Sequence, residues 1–360
     1  MISQQDRERT VPLWRAVLFY AVLSVFSLFA PAIAKESRGR IESGPFIRVS
    51  GEILAGSDIS AVAVFSSFLV IGSDEAVGVD NNENYIQLLR KIESGYAVHK
   101  NILLLQGDQA EGKELDIEGI AVEGDSVYIV GAHCLKRQKV KKARIQEENR
   151  KKFQADRLEE ERNRAWLYRI RLDKEGNEVE SQRISLREII KHDPVLHPFS
   201  RIPSKENGID IEGVAAKDGW LYVGFRGPVL RENYIPVMKL KFDDAEKTYE
   251  LLYVQLGGRG IRDITKVSDG FLILAGPVGD GDNSYQLYHW DGKDLILGKD
   301  LKDGERGRIH FLGDITSPKK GKVEGVAVHR EEETGYQLIL AYDGAENNDT
   351  VLQYVLLPRP

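Results

Sequence analysis

A six-residue phrase recurs along the chain and constrains its fold more than any other feature. It reads Asp116-Ile117-Glu118-Gly119-Ile120-Ala121, then Asp210-Ile211-Glu212-Gly213-Val214-Ala215, then Lys322-Val323-Glu324-Gly325-Val326-Ala327. Weaker copies occupy residues 58–63 and 260–265. Recurrence at roughly 50 residues, once one insertion is set aside, marks an architecture in which each unit stacks on the next.

A second β-rich run follows each copy, as in Val127-Tyr128-Ile129-Val130-Gly131 and Gln337-Leu338-Ile339-Leu340-Ala341. Third and fourth runs complete most units. Short β-branched and aromatic runs bounded by Gly, Asp and Asn read as strands. Four strands per unit of about 40–50 residues is the spacing of propeller blades. The predicted fold is therefore all-β: a single β-propeller of four-stranded blades. Five blades begin near Asp58, Asp116, Asp210, Gly260 and Lys322, with six as the alternative count. The last unit is one strand short. Residues 46–54 are expected to supply the missing strand, so that the chain ends pair and no sheet edge stays open. The propeller is thus placed at residues 46–360, behind a linker at 35–45.

Residues 1–34 have a separate character. Arg7, Arg9 and Arg15 precede an apolar stretch from Ala16 to Ala34, which is interrupted by Pro31 and ends in Ala32-Ile33-Ala34. A charged start, an apolar middle and an A-x-A end describe a secretory signal peptide. The stretch nears membrane-spanning length, so a retained anchor is the alternative. Either reading places the propeller outside the cytoplasm, periplasmic or secreted in one case and anchored to the inner membrane facing the periplasm in the other. The single cysteine, Cys134, rules out an intramolecular disulfide. A net charge of −6 argues against nucleic acid as the main partner.

Residues 136–164 break the repeat inside the second blade. They are dense in charge, lack Gly and Pro, and are basic in front and mixed behind. Helix formers dominate and opposite charges recur at helical spacing, so a charged helical insertion is expected. It reads as a solvated excursion or as a basic partner-docking element.

Propeller geometry brings the loop entering the innermost strand and the loop leaving the second strand to one axial face. One set of candidates opens the phrase: Asp116, Glu118, Asp210, Glu212, Arg262, Asp263 and Glu324. The other follows the second strand: Asp74, His133, Lys136, Arg226 and Asp280 among them. Carboxylates crowded at one axis need a cation. Arg262 is one candidate. A Ca²⁺ ion held by Asp116 and Asp210 with Glu118 and Glu212 is the other. Arg226 and Arg262 are candidate ligands for an anion, with Asp263 and Lys136 beside them. Glu118, Glu212, Glu324 and His133 are the candidate catalytic residues, for activating water and transferring a proton. The competing reading is structural, because a role that repeats with the blade belongs to the blade. CxxC, HExxH, GxSxG and Walker motifs do not occur.

The phrase, together with Gly131-Ala132-His133-Cys134-Leu135-Lys136-Arg137, Asn207-Gly208-Ile209-Asp210, Gly227-Pro228-Val229-Leu230-Arg231 and Leu274-Ala275-Gly276-Pro277, resembles the bacterial family called domain of unknown function 3616. The likeness covers nearly all of the chain after the first 34 residues and departs from the family's pattern at Cys134, where a small polar residue is expected. The Glu-Gly-Ile/Val-Ala blade starts are more distantly similar to phytase-like and esterase-like propellers, which include calcium-dependent phosphoesterases. Two functions follow as expectations. One is a monomeric binding module of the cell envelope, taking an anionic small molecule or an envelope protein. The other is a Ca²⁺-dependent phosphoesterase or esterase with its site on the axial face. Contact with a membrane is expected only through an uncleaved N-terminal segment.

Overall fold

The computed structural model describes residues 41–279, 281, 284–316, 321–345 and 347–359. The expected signal peptide or anchor and Asp280 lie outside them. Strands β1 (Glu42–Phe46) and β2 (Val49–Ser50) precede the ring. Blade 1 holds β3 (Ile59–Phe65), β4 (Phe68–Ser73), β5 (Glu83–Ile92) and β6 (Gly95–Gln106). Blade 2 begins with β7 (Ile117–Glu123) and β8 (Ser126–Gly131). An insertion follows, with β9 (Lys136–Arg137), α1 (Gln146–Lys151) and β10 (Leu158–Glu159). The blade then resumes with β11 (Leu167–Leu172) and β12 (Glu178–Ile184), and α2 (Arg187–His192) leads out of it. Blade 3 is β13 (Asp210–Lys217), β14 (Trp220–Gly227), β15 (Tyr234–Leu240) and, after α3 (Ala245–Thr248), β16 (Glu250–Gln255). Blade 4 is β17 (Gly260–Val267), β18 (Gly270–Gly276), β19 (Tyr285–Trp290) and β20 (Ile309–Ile315). Blade 5 is β21 (Lys322–Glu332), β22 (Gly335–Asp343) and β23 (Leu352–Pro358), completed by β1.

The repeated phrase has a common structural cause. In all five blades the ladder between the first two strands skips one residue. The skipped residues are Ser60, Glu118, Glu212, Arg262 and Glu324. Each is the third residue of its phrase. A bulge leaves that residue unpaired across the ladder and re-aims its side chain. The residue after it must let the next blade approach. A Cβ on Gly213 would stand 2.8 Å from the Cα of Asp263, and one on Gly119 would stand 2.8 Å from the backbone N of Val214. Glycine is therefore required at both positions by close backbone contact.

Strands β3, β7, β13, β17 and β21 each touch the innermost strands on either side, which closes the ring. The apolar core is distributed between neighbouring blades. One cluster joins blades 1 and 2 through residues such as Phe68, Ile117 and Ile129. Others join blades 4 and 5 through Leu274 and Val326, and blades 5 and 1 through Ile59 and Ile339. The largest spans blades 2, 3 and 4 around Phe225 and Trp290. Such facing sheets bury alternate side chains of both partners.

Closure differs from the expected form. The strand completing blade 5 is β1, paired antiparallel with β23 as Ser43↔Val355 and Phe46↔Gln353. It therefore lies largely in the segment read as linker. Residues 47–54 instead cross from blade 5 to blade 1. There Ile47 and Val49 are buried, and β2 adds a fifth strand in parallel to β6. The sequence of β1, Glu-Ser-Gly-Pro-Phe, has little strand character. Its pairing comes from the open edge of β23.

The insertion is α-helical over only six residues in α1, none of them buried, with two 3-10 turns further on. Its polar sequence offers no apolar face to pack, and helix nucleation is costly without one. A short ribbon, β9 with β10, forms its base. Among the described residues no helix is long and apolar enough to cross a membrane.

Candidate functional site

The bulged residues meet at the axis as a chain of ion pairs running from blade to blade. Glu212 of blade 3 accepts from Arg226 at 2.8 Å and pairs with Arg262 of blade 4 at 3.0 Å. Arg262 pairs in turn with Glu324 of blade 5. Arg226 also lies 3.7 Å from Asp210 and donates from Nε to the Pro277 carbonyl at 3.0 Å. All five of these side chains are buried. Burial alone would raise the Glu212 pKa, but Arg262 and Arg226 together outweigh it and hold the carboxyl below the usual glutamate range. Asp210 has a weaker share of cation. Burial, then repulsion from Glu212, pushes its pKa well up.

Asp263 takes no part in this chain. It stands where three other blades have glycine, and its carboxylate binds backbone. Oδ1 accepts from the Ile264 N–H at 2.8 Å and Oδ2 from the Val326 N–H of blade 5 at 2.7 Å. Burial raises its pKa well above the usual value, against the pull of those two N–H groups. Ser60 forms a comparable tie, donating to the Ile117 carbonyl of blade 2 at 2.5 Å. These residues fasten adjacent blades.

A second charged cluster lies between blade 2 and the end of the insertion. Arg164 is 5% exposed and pairs with Asp116, Glu114 and Glu161 at once. Lys136 adds a pair to Glu114 at 3.3 Å. Burial pushes Asp116 up to about 6 despite Arg164 beside it. Asp116 and Asp210, the two aspartates read as calcium ligands, thus face different arginines. Arg164 was not among the sequence candidates. Its signal was available: it is the last charge before the blade resumes at Trp166.

The expected proton-transfer role of His133 meets a geometric obstacle. Its Nδ1 donates to the Gly131 carbonyl at 2.8 Å, and its Nε2 accepts from the Leu186 N–H at 3.2 Å. Both nitrogens are committed, and burial lowers the pKa to about 4. Its φ of 52° places it at the turn out of β8. Cys134 is buried beside Asp116, and burial pushes its thiol upward. Among the described residues, no three His, Cys, Asp or Glu side chains are arranged to hold a metal ion.

Glu118 and Asp74, on the same face, have no ion-pair partner among the described residues. Glu118 differs in this from the other two phrase glutamates, and it is half-buried. Burial, then repulsion from Glu212 and Asp116, raises its pKa well above the usual value. Asp74 has a buried Oδ1 with no hydrogen-bond partner. Burial, then Asp116 and Asp343, pushes its pKa up to about 8. An unfolded aspartate titrates near 3.9, so the folded protein retains a proton that the unfolded chain loses. Stability from this group is complete below about pH 4 and is lost as pH rises to about 8. Melting curves should therefore show a fall between pH 5 and pH 9 that Asp74→Asn reduces. Superimposable pH profiles for the two proteins would contradict this assignment.

The axis is open at the other end. A cavity of about 490 Å³ lies beyond the charged plug, walled by the distal halves of all five innermost strands. Ala121, Val122, Ala216, Thr265 and Val328 form much of its wall, with Lys217, Lys266 and Glu331 near its mouth. Lys217 is tied to the Val267 and Ser268 carbonyls at 2.7 and 3.0 Å. The phrase's closing alanines, Ala63, Ala121, Ala215 and Ala327, all border the cavity. Sequence reasoning assigned these alanines no function. Their recurrence was visible, but their direction away from the acidic face was not.

Fold and axis together define a five-bladed β-propeller, plugged by ion pairs at one end and open at the other. Within that class the chain belongs to the family described as "Protein of unknown function (DUF3616)", which it matches over residues 58–354. No curated protein matches it. Among solved structures it is similar to YCF48 bound to D1 peptide, with 10% identity, 91% of this chain and 72% of that chain covered, and a TM-score of 0.31. It is also similar to Sqt1 of Saccharomyces cerevisiae, with 5% identity, 88% and 100% coverage, and a TM-score of 0.35. A GH43 β-1,3-galactosidase shares 12% identity over 89% of this chain and 60% of that chain, with a TM-score of 0.46.

Proposed function

We propose that this protein is an exported binding propeller of the cell envelope whose ligand enters the open axial cavity. The observation that carries the reading is the mutual pairing of Glu212, Arg226, Arg262 and Glu324. Buried and mutually paired, these groups direct their charges at one another, and the unpartnered Arg262 Nε is itself buried. The expectation of an anionic ligand at Arg226 and Arg262 loses its binding groups for the same reason. The hydrolase alternative loses Glu212 and Glu324 to these pairs and His133 to its two backbone hydrogen bonds, and keeps Glu118 alone of its candidate catalytic residues. The cavity of about 490 Å³ has the size of small-molecule sites, roughly 300–1,000 Å³, which are mostly apolar with a few polar groups. Export rests on the charge and hydropathy pattern of the first 34 residues.

Two assays test this reading. Compounds that raise the melting temperature in a small-molecule screen should lose their effect on Val328→Trp, which fills the cavity from a half-buried wall position. Bis-p-nitrophenyl phosphate should not be turned over with Ca²⁺ or with EDTA. Turnover that Glu212→Gln abolishes in a folded protein would restore the hydrolase reading.

A further inference from the structure

We propose that the insertion between β8 and β11 is a docking element for an anionic phospholipid surface. Residues 136–152 carry nine Lys or Arg against two Glu, in a chain whose net charge is −6. Residues 139–148 are exposed throughout. Lys139, Lys141, Lys142 and Arg144 have no ion-pair partner among the described residues, so this positive charge is not neutralised within the protein. On the same segment Val140, Ile145 and Phe153 are 55%, 66% and 65% exposed.

The segment is built, not loose. Arg137 binds Glu206 and the Lys152 carbonyl, the latter at 2.8 Å. The buried Lys152 donates to the Lys139 carbonyl. Asn149 clasps the backbone of Lys141 through both ends of its amide, at 3.0 and 2.9 Å. These bonds hold the loop in a shape that leaves its cations and apolar side chains outward. Cations interspersed with exposed apolar groups fit the boundary between anionic headgroups and acyl chains, where each part finds its own medium. A polyanion such as nucleic acid would take the cations and leave Ile145 and Phe153 in water.

The placement has a geometric consequence. The end of β8 lies beside the start of β7, as the pair Ile117↔Gly131. The insertion therefore leaves the ring at the plugged end. Docking through it directs that face to the lipid and leaves the open cavity facing away.

The test uses a chain beginning at Gly39, which keeps β1 and so every strand of the ring. It is sedimented with vesicles of phosphatidylcholine alone and of phosphatidylcholine with an equal share of phosphatidylglycerol. Binding to the anionic vesicles alone is expected. Each cation near such a surface is worth about fivefold in affinity, so K141E/K142E/R144E should weaken binding at least about a hundredfold. I145D/F153D should also release the protein, and both variants should keep the wild-type melting temperature. Failure to bind anionic vesicles overturns the proposal. So does binding that I145D/F153D leaves unchanged, especially if duplex DNA is bound equally well, which would make the loop a general polyanion binder.

Discussion

Replacing Glu212 with alanine should destabilise the protein by about 3–5 kcal/mol, the usual cost of removing one partner from a buried ion pair. The variant leaves Arg226 and Arg262 facing each other without the carboxylate that each now touches. A melting temperature lower by on the order of 10 °C is the expected readout for a chain of this size. Glu118→Gln supplies the contrast. It occupies the equivalent bulge of blade 2 but has no ion-pair partner among the described residues, and Glu212 repels it. Its removal should leave stability unchanged or raise it at neutral pH. Equal losses at the two positions would mean that the bulge, and not the charge pairing, sets the stability.

The second large effect is expected at Arg164. Its guanidinium serves Asp116, Glu114 and Glu161 together, and Arg164→Ala would leave buried Asp116 without its principal cation. A loss of about 3–5 kcal/mol is expected here as well. Unlike Glu212, Arg164 also closes the insertion onto blade 2, because its guanidinium ties Glu161 of the insertion to Glu114 and Asp116. Limited proteolysis should therefore cut residues 136–164 of the variant faster than those of the wild type, at temperatures where both rings stay folded. Unchanged cleavage would show that the Arg164 side chain does not hold the insertion in place.

The fold was legible because the phrase encodes a constraint met five times. The bulge needs one residue to spare, the next blade needs glycine or a short side chain beside it, and both demands are local. The closing strand was not legible for the opposite reason: β1 pairs because β23 has an open edge, and nothing in Glu-Ser-Gly-Pro-Phe signals this. The candidate site was legible in part. Repeat phase correctly placed Glu212, Arg226, Arg262 and Glu324 at one axis, but it could not show that they neutralise one another there. Asp263 is expected beside the anion-binding arginines, whereas its carboxylate accepts from two backbone N–H groups. His133 was read as a proton carrier, whereas its ring bridges two backbone segments. Residue type suggested chemistry in both places, and the backbone groups that absorb it come from distant strands.

The most direct measurement is a double-mutant cycle on Glu212 and Arg262, using glutamine at both positions and chemical denaturation as the readout. If the axial charges hold the ring together, the two single variants are each strongly destabilised and the double variant loses less than their sum, with a coupling of about 1 kcal/mol or more. Additive losses, with either single variant as stable as the wild type, would contradict the account and return these residues to the list of groups held ready for a ligand.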